Sequence, residues 1–509
     1  MALDYIGYAH ALHGGYRAVR AVHHHRHRIV VALAFIIPFI TYAFSVSHDV
    51  ASRDLADMQG VPYLLGIAHP TGYPLFVLIG WVWSHVVSVG TLAYRMNLFG
   101  AVCMSLACMT GVVTAIRIGI GPVTSLGAFL CFAWARSIWY HGSQADSQDL
   151  ALLFQAMTIY YLCGWLIHSR TRDIVAMAAS FGAAIAVSPI SLWLLPAIIF
   201  SKLVRLRRIT LAGAGAALVA FVLLLCCYAY LPLRANAIAH APVDPVQMLA
   251  PPAARVYWDV NDPRTQQGFV NEVSGLSFGV GPLWRNAANP SHWLAYLGSI
   301  YATIHGTYDI VFVVVAGLGI ILLFQRRNSV CIMLVIAALS AGFVALALAP
   351  VEGDPERYLM FVLWIAALFA GGVTAEFRWT VDPRRIVWAL ILIGNAIALA
   401  GASGSVAALQ RGVSNRALIS WIARSVPAKA IVVAPWEDAT TLAYGAYADG
   451  SLQDRTILAA HPRQYASDYA LWARREPLYV LSAVPFADPR FHPVGTPTLG
   501  RMLYVFGGT

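Results

Sequence analysis

LFVLIGWVWSHVVSV, residues 75–89, is the stretch on whose placement the fold turns. It is strongly apolar, yet its 15 residues make only about 22 Å of helix against the ~30 Å of a bilayer's hydrocarbon core. If it crosses the membrane, every later loop changes side. The basic clusters Arg170/Arg172, Lys202 to Arg208 and Arg326/Arg327 then fall outside, against the excess of Lys and Arg that cytoplasmic loops carry. If it rests along the outer surface, those clusters are cytoplasmic, together with Arg117, Arg378, Arg384 and Arg385. The charge pattern therefore predicts an outer juxtamembrane helix at 75–89.

Composition supplies the membrane. Of 509 residues, 59% are hydrophobic and 11% charged, with mean hydropathy +0.66, which excludes a soluble globule. Apolar runs of spanning length recur about eleven times, at 29–47, 96–116, 122–140, 149–168, 173–187, 189–204, 210–232, 308–325, 330–349, 358–376 and 386–404. The formal charge is +10, but the basic residues lie in short clusters between runs, so topology explains them and nucleic acid is not implied as a partner. All seven cysteines fall within apolar runs, which implies no disulfide framework. The first run follows a basic flank ending His23-His24-His25-Arg26-His27-Arg28 and lacks a small-residue cleavage site, so it is expected to stay as a membrane helix with a cytoplasmic N-terminus. That histidine cluster has no Cys or acid at ligand spacing, and no metal is assigned to it.

The expected organisation is a cytoplasmic basic segment (1–28), a transmembrane domain (29–404) with outer loops 48–95 and 234–307, and an extracytoplasmic domain (405–509). The last alternates short β-like runs (Ala430 to Ala434, Thr456 to Leu458, Leu478 to Leu481) with helical stretches, which argues a small α/β unit. No GxGxxG or P-loop spacing occurs in it. On this topology Asp54, Asp57, Asp146, Asp259, Asp262, Glu272, Glu352, Asp354 and Glu356 come to one outer surface from segments far apart in the chain.

Just before the decisive stretch runs DLADMQGVPYLLGIAHPTGYP, residues 54–74. Asp54 and Asp57, three residues apart, share one face of a short helix. They read either as catalytic carboxylates or as an N-cap with a capping-box partner. In His69-Pro70-Thr71-Gly72-Tyr73-Pro74 two prolines fix φ and a glycine permits reversal. His69 reads as a phosphate contact or as a partner of local backbone.

Gly66-Ile67-Ala68-His69-Pro70-Thr71-Gly72-Tyr73-Pro74 resembles the bacterial relatives of the protein O-mannosyltransferase called transmembrane protein 260, a family carrying the domain of unknown function numbered 2723 and belonging to the GT-C class of membrane glycosyltransferases. Asp54-Leu55-Ala56-Asp57 stands where the family has D-S-G-E, and Arg95-Met96-Asn97-Leu98 where it has R-V-N-L. Tyr230-Leu231-Pro232-Leu233-Arg234-Ala235 and Trp258 with Asp262-Pro263-Arg264 are further likenesses. Asp57 and Asp146 replace glutamates, each moving a carboxylate back by a methylene. The resemblance covers most of residues 28 to 300 and implies an all-α polytopic GT-C fold in a bacterial cytoplasmic (inner) membrane. It also implies transfer of a sugar, with mannose or another hexose as the expected cargo, from a polyprenyl-phosphate donor to a protein or glycan acceptor on the extracytoplasmic face.

That chemistry needs a carboxylate to take the acceptor's proton and fixed cations for the leaving phosphate. Asp54 is the expected base with Asp57 assisting. Donor-phosphate or substrate contacts are expected from His69, Tyr73, Arg95, Asp146, Arg234, Trp258, Arg264, Arg357 and Tyr358. No cofactor is required by this reading; a divalent metal stays open, without a diagnostic spacing. A multi-span transporter or a flippase for lipid-linked sugars is the alternative, and a non-catalytic assembly factor a further one. Against a coupled transporter, which places ionisable groups near the bilayer midplane, the spans 96–116, 210–232 and 330–349 contain no Asp, Glu, Lys or Arg.

Overall fold

The computed structural model describes residues 27–205, 209–240, 249, 254–275, 297–298, 310–348, 356–373, 394, 415–461, 463–486, 488–496 and 498–507. The expected span 386–404 (apart from Gly394), the basic segment up to residue 26, much of the loop 234–307, and Glu352 and Asp354 lie outside the described residues.

The chain opens with α1 (His27–Ser45), followed by α2 (Arg53–Leu64), α3 (Pro74–Val86), α4 (Leu92–Ile118), α5 (Pro122–Ala133), α6 (Arg136–His141) and α7 (Ser147–His168). After these come α8 (Thr171–Val187), α9 (Leu195–Val204), α10 (Leu211–Leu225), α11 (Tyr230–Ala239), α12 (Gln266–Ser274), α13 (Ile310–Leu348) and α14 (Glu356–Gly372). Among the described residues, five helical stretches are long and apolar enough to cross a membrane: His27–Ser45, Leu92–Ile118, Ser147–His168, Leu211–Ala239 and Phe312–Leu348. Several expected spans come out shorter. The run 122–140 breaks between Ala133 and Arg136, and the run from 189 begins as a 3₁₀ turn, Pro189–Leu194, where a proline opens the segment.

Two expected spans, 308–325 and 330–349, belong to α13, which breaks at Arg327 (φ −143°, ψ 61°). Beyond the break Cys331 Sγ lies 3.4 Å from the carbonyl oxygen of Ile320, a separation of about 16 Å along a straight helix. The two halves therefore fold back as a hairpin. Buried polar handles stitch the bundle together: Tyr42 Oη donates to Ala133 O at 2.8 Å and Trp364 Nε1 to Ala107 O at 3.0 Å, which spares an apolar interior any orphaned donor at those points. The outer faces are apolar as well, and Leu211, Leu218 and Leu223 of α10 are more than half exposed, as a lipid-facing helix requires.

α3 is the helix on which the topology turns. Its 13 residues give about 20 Å. Its first residue follows Tyr73, whose ring lies 5.1 Å from that of His69. At its other end Arg95, in the first turn of α4, donates to Ser84 O at 2.8 Å, and Trp83 Nε1 donates to Arg95 O at 2.7 Å. The start of α4 is tied to the exit of α1 by Thr91 Oγ1 donating to His48 O at 2.9 Å. Both ends of α3 are thus held at one end of the bundle.

Residues 415–507 form α15 (Asn415–Ser425), β1 (Ile431–Ala434), α16 (Trp436–Ala443), β2 (Thr456–Ala459), α17 (Tyr469–Ala473), β3 (Leu478–Ser482), β4 (Phe491–Pro493) and β5 (Met502–Phe506). The sheet order is β2-β1-β3-β5-β4. β1 is parallel to β2 and β3, with Ile431 opposite Thr456 and Leu478, whereas β5 is antiparallel to β3 and β4. β1 is buried at every residue and reads as an unbroken apolar run because a central parallel strand is covered on both faces. This unit sits on the same end of the bundle as α3: Ala93 N of α4 donates to Tyr444 Oη at 2.9 Å, and Asn415 Nδ2 to Val50 O at 3.0 Å.

Candidate active site

α2 starts after Ser52, in extended conformation, and carries Asp54 in its first turn, where a carboxylate meets the positive end of the helix dipole. The helix ends at Leu65 in the left-handed region. Gly66 follows because nothing larger fits: a Cβ there would lie 2.0 Å from Tyr257 O, the acceptor of Ile67 N at 2.9 Å. Gly72, at φ 76°, closes the next turn by donating its N–H to His69 O at 2.9 Å. The turn presents His69 to the acidic face of α2.

His69 stands between the two aspartates. Its Nδ1 is 2.6 Å from Asp57 Oδ2, which also accepts the His69 backbone N–H at 3.1 Å, and its Nε2 is 3.7 Å from Asp54 Oδ2. Asp57 is buried, 1% exposed, whereas Asp54 keeps a quarter of its side chain accessible. Asp57 therefore orients the imidazole, and Asp54 is the carboxylate that a ligand can reach. Arg357, 303 residues away, donates Nη2 to Asp54 Oδ2 at 3.1 Å and to Tyr358 Oη at 3.1 Å. Trp436 Nε1 donates to Asp54 Oδ1 at 3.0 Å, and its ring meets His69 edge-on at 5.7 Å.

The charges reinforce one another. Burial alone would push the Asp54 carboxyl up, but the charges of His69 and Arg357 and the hydrogen bonds from Trp436 and Arg357 hold it well below the usual carboxylate range. Burial would likewise push the His69 imidazole down, yet the Asp54 charge and the bond to Asp57 raise it above its ordinary value, despite Arg357. The centre is thus an ionised Asp54 beside the Arg357 cation, with His69 biased toward its protonated form.

Arg357 and Tyr358 also line a small recess between α7, the Pro189–Leu194 turn, the second half of α13 and α14. Its other walls are largely apolar, among them Leu152, Trp193 and Phe361, with Gln148 and Gln155 as polar points. Asp146 lies on this side too. It caps α7 by accepting Gln148 N at 2.9 Å and sits 3.3 Å from His141 Nδ1. Burial would raise its carboxyl, but His141 and the Arg357 charge lower it below its ordinary value. Asp149, one turn further into α7, is fully buried, and among the described residues neither of its carboxylate oxygens has a hydrogen-bond partner.

The remaining expected contacts stand apart from Asp54. Arg234 Nε donates to Leu65 O at 2.6 Å and Tyr230 Oη to the same oxygen at 2.6 Å. That places Arg234 about 16 Å along α2, where it caps the helix's C-terminal carbonyls. Arg95 is committed to the end of α3. Trp258 packs against Tyr447 of the α/β unit with ring centroids 5.3 Å apart, and Arg264 forms a half-exposed pair with Asp262. Trp436, Gln148, Gln155 and His141 were missed. Trp436 had one signal: it follows an apolar parallel strand directly, and open α/β sheets place their sites at the carboxyl ends of such strands. Among the described residues, no three His, Cys, Asp or Glu side chains come together as a metal-holding group.

Residues 57–210 match the family described as the Protein O-mannosyl-transferase TMEM260 N-terminal domain. The chain is 24% identical over 262 residues to "Protein O-mannosyl-transferase TMEM260" of Mus musculus, covering 49% of this chain and 34% of that protein. It is 24% identical over 172 residues to "Protein O-mannosyl-transferase tmem260" of Dictyostelium discoideum, covering 31% of this chain and 21% of the relative. The chain thus matches about a third of one relative's length and about a fifth of the other's. In three dimensions it superposes on ArnT from Cupriavidus metallidurans in the apo state, with TM-score 0.54 and 12% identity over 93% of this chain and 97% of that one. The crystal structure of ArnT bound to undecaprenyl phosphate gives TM-score 0.52 at 10% identity, with the same coverage. The likeness to ArnT shows that the two chains share a fold, and residues 57–210 are similar to the TMEM260 N-terminal domain.

Proposed function

We propose that this chain is a membrane glycosyltransferase that moves a hexose from a polyprenyl-phosphate donor to a hydroxyl acceptor, with Asp54 as the proton acceptor. The observation that carries it is the contact between Asp54 and Arg357, whose side chain also lines a small recess in the bundle. Asp54 takes the acceptor's proton as that oxygen bonds to the anomeric carbon, and the bond from that carbon to the phosphate oxygen breaks. The phosphate leaves with added negative charge, which Arg357 is placed to meet. Arg357 lies in the first turn of α14, where the helix dipole opposes a cation but favours an anion, so a phosphate there relieves the repulsion as well as pairing the guanidinium. The shared fold supports a prenyl-phosphate donor, since ArnT has been crystallised with undecaprenyl phosphate. The relatives' names make mannose and a protein hydroxyl the first donor and acceptor to test; a glycan acceptor is the second.

The orientation proposed puts Asp54 and the α/β unit on the extracytoplasmic side of a bacterial cytoplasmic membrane. Its support is the opposite end of the bundle, where Arg117, Arg170, Arg327 and Asp173 gather around His168, as the positive-inside rule asks of a cytoplasmic face. The test is a transfer assay on the purified full chain in nanodiscs, with a panel of polyprenyl-phosphate hexoses and a hydroxyl-bearing peptide. The expected result is hexose transfer by the parent that correctly folded D54N lacks. Equal transfer by D54N would remove Asp54 from the chemistry.

A further inference from the structure

We infer that Trp436 is a positioning residue of this transfer, holding the Asp54 carboxylate through its indole N–H, so that the C-terminal α/β unit completes the active site of the membrane domain. The inference rests on the reading of Asp54 as the proton acceptor. Oδ2 of Asp54 is shared by Arg357 and His69, which leaves Oδ1 as the oxygen with lone pairs for an incoming proton. Among the described residues the hydrogen-bond donor to Oδ1 is Trp436, at 3.0 Å. Both side chains are partly exposed, so the pair faces a space that an acceptor can enter.

The placement of the indole is built in from several directions. Trp436 opens α16 immediately beyond Pro435, at the carboxyl end of the interior parallel strand β1, the end where open α/β sheets present functional groups. Two other contacts lock α16 onto α2. The Tyr257 hydroxyl is shared between Ala56 O at 3.0 Å and Thr440 O at 2.9 Å, and Thr441 Oγ1 donates to Ala51 O at 2.9 Å. A rigid helix with independent tethers therefore delivers one N–H to one carboxylate oxygen, the arrangement that keeps a reacting group within a fraction of an ångström of its productive position.

The tethers do not involve the indole N–H, so W436F in the full chain folds and keeps the ring while losing the donor. The expected result is kcat lowered about tenfold with little change in donor KM. The acid limb of the kcat profile moves to higher pH, because an ionised Asp54 with one donor fewer is easier to protonate. A parent-like kcat and acid limb in W436F would overturn the inference, as would a loss traced wholly to a lowered melting temperature. If the parent transfers no hexose from any donor, the functional reading fails, and infrared titration still judges Trp436. The carbonyl band of protonated Asp54, identified by its absence in D54N, is expected at higher pH in W436F than in the parent; appearance at the same pH would overturn the role.

Discussion

Two arginine–aspartate pairs, one at each end of the bundle, join helices far apart in the chain, and they are built differently. Arg117 of α4 pairs with Asp173 of α8 at 2.6 Å, with exposures of 12% and 3%. Its guanidinium lies 4.3 Å from the centroid of Tyr160 and presses on Gly164, where a Cβ would stand 2.0 Å from Nη2. Arg357 and Asp54 pair at 3.1 Å with exposures of 11% and 27%, share their charge with His69 and Trp436, and adjoin the recess. The first pair is closed by its neighbours, with Asp173 only 3% exposed. The second leaves a quarter of Asp54 accessible and has a recess beside its cation. A buried ion pair is by itself weak evidence of function; the openings around it separate the two cases.

The sharpest test is at the open pair. D54N removes a proton acceptor, and transfer per folded molecule should fall about a thousandfold or more, beyond any change in melting temperature. At the closed pair D173N leaves Arg117 buried and uncompensated and should cost about 3 kcal/mol of stability, read as a lower melting temperature in detergent, while transfer per folded molecule stays at the parental value. A loss of turnover without loss of stability in D173N would erase the distinction between the pairs. R357K keeps the charge but loses the planar fork, and about a tenfold drop in kcat/KM is expected.

The smallest effect concerns pH. Asp54 is held below its ordinary pKa, so its stabilising contribution is present above about pH 4 and is lost as the pH falls through the depressed value. His69 is raised, so its contribution is present below about pH 6.5 and is lost as the pH rises through the raised value. The stability difference between parent and D54N should therefore be greatest between about pH 4 and 6.5 and shrink on both sides. A difference flat with pH would show that the three groups do not titrate as a unit.

Hydropathy and charge spacing by themselves marked this chain as a membrane protein, located most of the described helices and predicted that 75–89 lies along the outer surface, because burying apolar length and keeping arginine out of lipid are local demands. They also singled out Asp54, Asp57 and His69, whose spacing lies within one helix and the turn after it. What the chain could not announce is which distant groups meet there. Arg234 and Arg357 look alike in one dimension, each an arginine at the border of an apolar run. Only packing spends the first on the carbonyls of Leu64 and Leu65 and brings the second to Asp54. Only the docking of the sheet onto α2 carries Trp436 to the same carboxylate, 382 residues away. Helix formation and membrane insertion follow from short-range composition, whereas the partner of a side chain is set by how whole elements pack.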